Sequence, residues 1–410
     1  MNSLLRPQPI GIFPLPQNFL LLPTCADAGA PDYHAQLMQG KIPALTPPLA
    51  WQFYDAALRG ELAQAEHLLA DEPAPEAKFN SFVLQSSPEK YQQLRNELPA
   101  EILPLIDLVA YTLNYISAPP VTTHLDGELL AVVRMTEASH AIENGEADKA
   151  LELLQEAITA ARNVSPILTA QLIGSLAELQ RQLFGATPYI IQLYRQALQM
   201  LSAADLPAAR ASLALNLGIA YQEMSQGQRG ALLEAARCYQ EALKFFGRDS
   251  HPEQYALAQN NLALSYLSVP MTEASDQLRL AVAVQALREV LKVYTQESHP
   301  EQWASAQLNL ANALQYLPTS HPEENLSEAV NIYEALLPIR KAAGDPLGLA
   351  RLLANQGNAL AHLGIFKHAV PKLEEARAIF AEQNEADAAA SIDEVLAEIA
   401  AQQQTVSAAS

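Results

Sequence analysis

Between about residues 130 and 385, apolar or small residues recur three or four positions apart, separated by polar positions. That spacing predicts amphipathic helices rather than strands. The pattern also repeats at long range. "NLGIAY" begins at Asn216, "NLALSY" at Asn261, "NLANAL" at Asn309 and "NQGNAL" at Asn355, at intervals of 45, 48 and 46 residues. Each is followed by a second helical stretch: "YQEAL" at Tyr239, "LREVL" at Leu287, "IYEAL" at Ile332 and "LEEAR" at Leu373. Small residues (Ala220, Ala242, Ala263, Ala311, Ala335, Ala359 and Ala376) fall where the two helices of a pair are expected to approach. The unit is therefore a helix pair, and a row of such pairs buries a continuous core.

The nearly identical "SHPEQY" at 250 and "SHPEQW" at 298 mark helix starts. Ser250 and Ser298, with Glu253 and Glu301 three residues on, read as capping boxes, and Pro252 and Pro300 then sit in the first turn. "SHPE" at 320–323 repeats the device at the start of a second helix. The first 50 residues break the pattern. Nine prolines rule out long helices there, yet Ile10, Ile12, Phe13, Leu15 and Phe19–Leu22 are too apolar for a solvated linker. An extended arm lying on the protein's own helices is expected, with a strap across a groove or a partner contact as the alternatives. Helices are also expected around 87–96 and 100–117, ending at the "SAPP" break.

These repeats resemble tetratricopeptide repeats. The last unit carries the family's spacing through Leu353, Gly357, Leu360, Gly364, Ala369, Leu373 and Ala376. The stretch 138–158 matches through Gly145, Ala150, Leu154 and Ala157, 53–69 matches more loosely through Gly60, Ala65 and Leu69, and 170–203 is degenerate. The central units exceed the family's 34 residues and are similar to the long bacterial type. The resemblance implies an all-α, right-handed superhelical solenoid of antiparallel helix pairs with an extended, proline-rich N-terminal arm. The expected organisation is an arm over 1–50, a helical region with one degenerate repeat over 51–130, the repeats over 131–385, and a capping helix and tail over 386–410. In that cap Ile392, Val395, Leu396 and Ile399 form one apolar stripe.

The resemblance also implies that the first helix of each pair lines a concave groove at fixed offsets from the repeat asparagine. Those offsets give Ser212, Leu215, Ile219, Gln222 and Glu223 in one unit. The later units supply the candidate partner-binding residues Asn260, Leu264, Leu308, Asn312, Gln315, Tyr316, Arg351, Asn358 and His362. Arg351 is the only cation among them, so the groove does not match the multi-cation clamps that hold acidic tails. Amide, leucine and tyrosine side chains suit a neutral, partly apolar peptide. The repeat asparagines Asn216, Asn261, Asn309 and Asn355 are read instead as bonds between adjacent helices.

Charge narrows the partner class. With 25 basic and 45 acidic residues the net charge is −20, which disfavours nucleic acid and anionic membrane. Cys25 and Cys238 form no CxxC and no disulfide framework, which fits a cytoplasmic protein. No apolar run reaches membrane-spanning length, and Pro14, Pro16 and Pro23 interrupt the apolar stretch 10–28 that a signal peptide would need. No phosphate-binding loop, nucleophile elbow or zinc-ligand spacing occurs, so no cofactor or metal is expected, and His251, His299 and His321 are assigned to first turns of helices. The sequence thus points to a non-catalytic protein-interaction scaffold or adaptor. The alternatives are a peptide- or ligand-responsive regulator and, third, an enzyme or enzyme subunit. It leaves the oligomeric state open.

Overall fold

Proline opens nine of the nineteen α-helices among the described residues. In the computed structural model, which describes residues 4–13, 19–270, 276–318 and 320–409, the chain is all-α. Pro75, Pro88, Pro166, Pro188, Pro207, Pro252, Pro300, Pro322 and Pro346 each occupy the first position of a helix. The missing N–H costs nothing there, because that group has no partner within the helix.

Two compact units divide the chain, Met1–Met224 and Ser225–Ser410. In the first, α1 (Ala30–Met38), α2 (Gln52–Leu58), α3 (Leu62–Leu69), α4 (Pro75–Leu84), α5 (Pro88–Glu97) and α6 (Leu103–Thr112) are short. Longer helices follow: α7 (Gly127–Glu143), α8 (Ala147–Ala161), α9 (Pro166–Phe184), α10 (Pro188–Met200) and α11 (Pro207–Met224). From α2 to α11 each helix packs on its sequence neighbours, and α9 also touches α11. Gly174 allows that last approach, since a Cβ there would run into Leu213. The expected helices near 87 and 100 are α5 and α6, while α4 went unread because its apolar residues Phe79, Phe82 and Val83 follow no clean stripe.

The second unit runs α12 (Arg229–Ala242), α13 (Pro252–Ser268), α14 (Asp276–Val290), α15 (Pro300–Leu314), α16 (Pro322–Ala342), α17 (Pro346–His362), α18 (Phe366–Glu382) and α19 (Ala386–Ala409). Each packs on the next, with α13 also on α15 and α17 on α19. One apolar core runs from α13 to α19. Gly357 lets α17 and α18 close up, because a Cβ there would lie 2.6 Å from Leu373 Cγ. The C-terminal cap is present as α19, with Ile392 and Ile399 buried and Val395 and Leu396 packed beside them. Of the seven small residues assigned to close approaches, six are buried, but Ala335 is exposed. In α16 it is Ala329 and Tyr333 that face the core.

The helix starts differ from the capping box read in the sequence. The residues capping α13, α15 and α16 are His251, His299 and His321, none with a side-chain cap bond. Ser250 Oγ donates back to the Gly247 carbonyl, and Ser298 Oγ bonds Thr295. Each serine also bonds the next residue's histidine Nδ1, at 3.0 and 2.9 Å. The histidines stack on the aromatic residues that precede them: His251 on Phe245 at 4.9 Å and His299 on Tyr294 at 4.8 Å. His299 Nε2 also lies 3.2 Å from Glu253 of the preceding pair. "SHPE" is thus a stitch between pairs as well as a helix start.

Candidate functional site

One face of α9 in the first unit is only partly taken up by the core. Ile167, Leu168, Leu172, Ile173 and Leu176 of this helix are buried. Its remaining face carries Gln171, Gly174, Ser175, Glu178 and Gln182 at helical spacing. With residues of α7, α8 and α11 this face forms a trough of about 450 Å³. Its apolar surface comes from Met135, Ile142, Leu154, Leu179 and Leu213, and its neutral polar surface from Ser139, Gln171, Ser175, Gln182, Ser212 and Asn216. The one charged group, Glu178, is already engaged. It accepts from Tyr194 Oη at 2.8 Å, Arg181 Nη2 at 2.8 Å and Gln182 Nε2 at 2.7 Å, while Arg181 also binds Glu223. Burial pushes the Glu178 carboxyl up, but these three hydrogen bonds and the Arg181 charge outweigh it, so it titrates below the ordinary range.

The N-terminal arm reaches the same elements and is held through its backbone. Glu128, fully buried at the start of α7, accepts from Arg6 Nε at 2.6 Å and from the Gln8 backbone N–H at 2.9 Å. Ser165 Oγ donates to the Ile10 carbonyl at 3.4 Å, and Gln171 Nε2 to the Gly11 carbonyl at 2.6 Å. Further along, Asn80 binds both backbone groups of Leu21, accepting at 2.7 Å and donating at 2.9 Å. Gln8 does the same for Leu22 at 2.8 and 2.9 Å. Ile10, Ile12, Phe19, Leu20, Leu21 and Leu22 are buried. The arm therefore lies on its own unit, as expected, and Ile12, Leu20 and Leu22 belong to the core around Tyr33, Trp51 and Tyr54. It is not extended throughout, since α1 falls inside it; Leu15, named with its apolar residues, lies outside the described residues.

In the second unit the candidate residues lie on α13, α15 and α17 and just after α15. Asn312 Oδ1 accepts from Tyr333 Oη of α16 at 2.6 Å and from Asn355 Nδ2 of α17 at 2.9 Å. Gln315 Nε2 donates to the same tyrosine oxygen at 2.6 Å. Asn312 and Gln315 are thereby tied into a ladder joining three helices, and Asn355 has the inter-helix bond expected of it. Tyr316, Arg351 and His362 are exposed, and Asn260, Leu264, Leu308 and Asn358 are half-buried. Asn358 Oδ1 is shielded from solvent and has no hydrogen-bond partner among the described residues. A cleft of about 730 Å³ does occur in this unit, but α15 and α16 line it through Trp303, Gln307, Glu324, Glu328 and Asn331, and none of the nine candidates borders it.

No family model matches the chain, and no curated protein matches it. Among solved structures it is similar to BtubC from P. vanneervenii, at 23% identity and TM-score 0.40, over 62% of this chain and 92% of that one. It is also similar to a Rap protein complexed with competence and sporulation factor, at 14% identity and TM-score 0.39, over 86% and 96% of the two chains. A third is the TPR2AB domain of yeast Sti1 in complex with pHSP90, at 18% identity and TM-score 0.26, over 67% and 100%. The repeated element is a pair of packed helices.

The tetratricopeptide offsets find only part of the trough. Ser212 borders it, but Leu215, placed inward by the same offsets, is buried in the core. The α9 contribution was missed because 170–203 has no repeat asparagine from which to count. A signal was nevertheless present: small, amide and carboxylate residues at 171, 174, 175, 178 and 182 along one side of a mostly apolar helix.

Proposed function

We propose that this protein is a non-catalytic scaffold that holds an extended, neutral, partly apolar segment of a partner protein in the α7–α9–α11 trough. The observation that carries the reading is the Gln171 amide, which borders the trough and already binds a backbone carbonyl, that of Gly11 in a turn of the protein's own arm. Peptide grooves of this kind gain affinity from bonds to the backbone and specificity from shallow apolar pockets. Ser175, Ser212 and Asn216 supply further hydroxyl and amide groups, and Met135, Ile142 and Leu179 supply apolar wall. Glu178, held by Arg181 and Tyr194, rims the trough without an open charge to attract basic peptides.

A separate contact surface in the second unit belongs to the same reading, made of Asn260, Leu264, Leu308, Asn312, Gln315, Tyr316, Arg351, Asn358 and His362. There the exposed Tyr316, Arg351 and His362 carry the contact, and Asn312 has its amide nitrogen to offer, its oxygen being bound within the unit. A cytoplasmic setting, a protein rather than nucleic acid or membrane partner, and the arm, helical-region, repeat and cap divisions at 50, 130 and 385 complete the proposal.

Selection from a displayed peptide library tests it. Wild-type protein should enrich uncharged sequences with one or two apolar residues. Ser175→Trp, which fills the trough from an exposed position, should lose them by at least about tenfold with its melting temperature unchanged. Enrichment of acidic or basic sequences, or equal capture by Ser175→Trp, would refute the trough reading.

A further inference from the structure

The first unit holds a second cleft, of about 620 Å³, at some remove in sequence from the trough and built by α2, α3, α4 and the chain on either side of α1. Its walls are apolar: Pro23, Leu49, Phe53, Leu68, Leu69 and Ala77. Its ionisable groups are all acids apart from the Cys25 thiol. Asp27, Glu72 and Glu76 border it, and no lysine, arginine or histidine does.

Glu76 is the unusual member. It is only 3% exposed, yet its Oε1 is shielded from water and receives no hydrogen bond from any described residue. No ion pair or hydrogen bond of either carboxyl oxygen occurs among the described residues, although buried carboxyl groups are normally bonded several times over. Its neighbours do not serve it. The Asn80 side chain is occupied by both backbone groups of Leu21, and Asp27 Oδ1 accepts from the Gly29 N–H. Glu76 sits in the first turn of α4, where the helix dipole favours negative charge. A donor from outside the chain completes this group. The acidic side chains favour a cation, and the apolar walls favour one carried on hydrocarbon. A metal ion does not fit, because among the described residues no three acidic, histidine or cysteine groups are placed to hold one.

We infer that this cleft binds a primary ammonium group on a short apolar stem, with Glu76 accepting from the ammonium and Phe53, Leu68 and Leu69 enclosing the stem. The ammonium can come from a free amine or from a lysine side chain of another protein, and the recognising chemistry is the same.

Titration calorimetry on the full chain separates the outcomes. The free-amine probes are n-butylammonium and 2-phenylethylammonium, with n-butanol and 2-phenylethanol as neutral matches. The peptide probe is acetylated, amidated Ala-Lys-Ala, matched against its norleucine analogue. Saturable binding of an amine but not its alcohol, weakened at least about tenfold in Glu76→Gln, is expected, and the peptide arm then identifies the source. Leu49→Lys provides a second variant that does not depend on the core. Leu49 is 81% exposed at the cleft, so this change brings an internal ammonium to the mouth and should compete with the probe to a similar extent. If Glu76→Gln fails to fold, Leu49→Lys decides. Absence of saturable amine binding at millimolar concentrations, equal binding of the alcohols, or amine binding unchanged in both variants would overturn the assignment. Peptide library selection on the trough is unaffected by either result.

Discussion

The two units use the same helix pair but spend its polar side chains differently. In the second unit, Asn312, Gln315, Asn355 and Tyr333 bond one another, so these amides tie α15, α16 and α17 together. In the first unit, Asn80, Gln8 and Gln171 bond the backbone of the N-terminal arm instead. A side-chain amide has the same donor and acceptor geometry as the peptide group, so it serves equally well as rivet or as reader. What decides between the roles is whether another side chain or a length of backbone reaches it first.

The strongest way to break this contrast is to attack the arm. Leu21→Asp puts a charge at a fully buried site with no counter-ion, and should cost more than about 4 kcal/mol. Urea unfolding followed by circular dichroism should then lose the first unit's transition while the second unit's persists. A single weakened transition for the whole chain would mean the units do not unfold separately. Next in size, Asn80→Ala leaves the Leu21 N–H and carbonyl unbonded, at about 2–3 kcal/mol. In the second unit, Tyr333→Phe removes the bond that Asn312 and Gln315 share and should cost about 1–2 kcal/mol, read from thermal unfolding. An effect below that would make the ladder incidental, and Asn312 would be better regarded as a contact residue alone.

Acid sharpens the comparison further. Glu178 titrates below its ordinary value in the folded state, so its contribution to stability is fully present above the unfolded pKa of about 4.5 and is lost as the pH falls through the lower folded value. Glu178→Gln should therefore cost about 1 kcal/mol at pH 7 and progressively less as the pH falls below the ordinary carboxylate range, measured by urea midpoints across a pH series. The smallest effect belongs to Ser298→Ala. Because His299 rather than Ser298 occupies the cap position, the loss should stay below the roughly 1 kcal/mol typical of a true cap.

The sequence makes the helix pairs legible because Asn261, Asn309 and Asn355 recur in register and Pro252, Pro300 and Pro346 fix where helices begin. It makes the buried arm legible through the density of apolar residues between Ile10 and Leu22. It does not say which amides face each other, since the bond from Asn355 to Asn312 depends on how two helices rotate about their axes. Nor does it reveal the trough, whose lining is shared among α7, α8, α9 and α11, with only a fraction on any one motif. The capping box misled for a local reason: Ser298 finds Thr295 and the His299 ring closer than the helix N–H groups. Glu76 is the hardest case, because nothing in "PAPEAKF" distinguishes a carboxylate in water from one whose Oε1 is shielded without a donor.

The arm's bonding also sets an order of events during synthesis. Ile10 and Gly11 leave the ribosome first, but Ser165 and Gln171, which bind their carbonyls, are made some 155 and 160 residues later. At typical translation rates of about 5–20 residues per second, that interval is roughly eight to thirty seconds. For that time one of the most apolar stretches of the chain waits for the surface that will shelter it, exposed to chaperones and to other nascent chains.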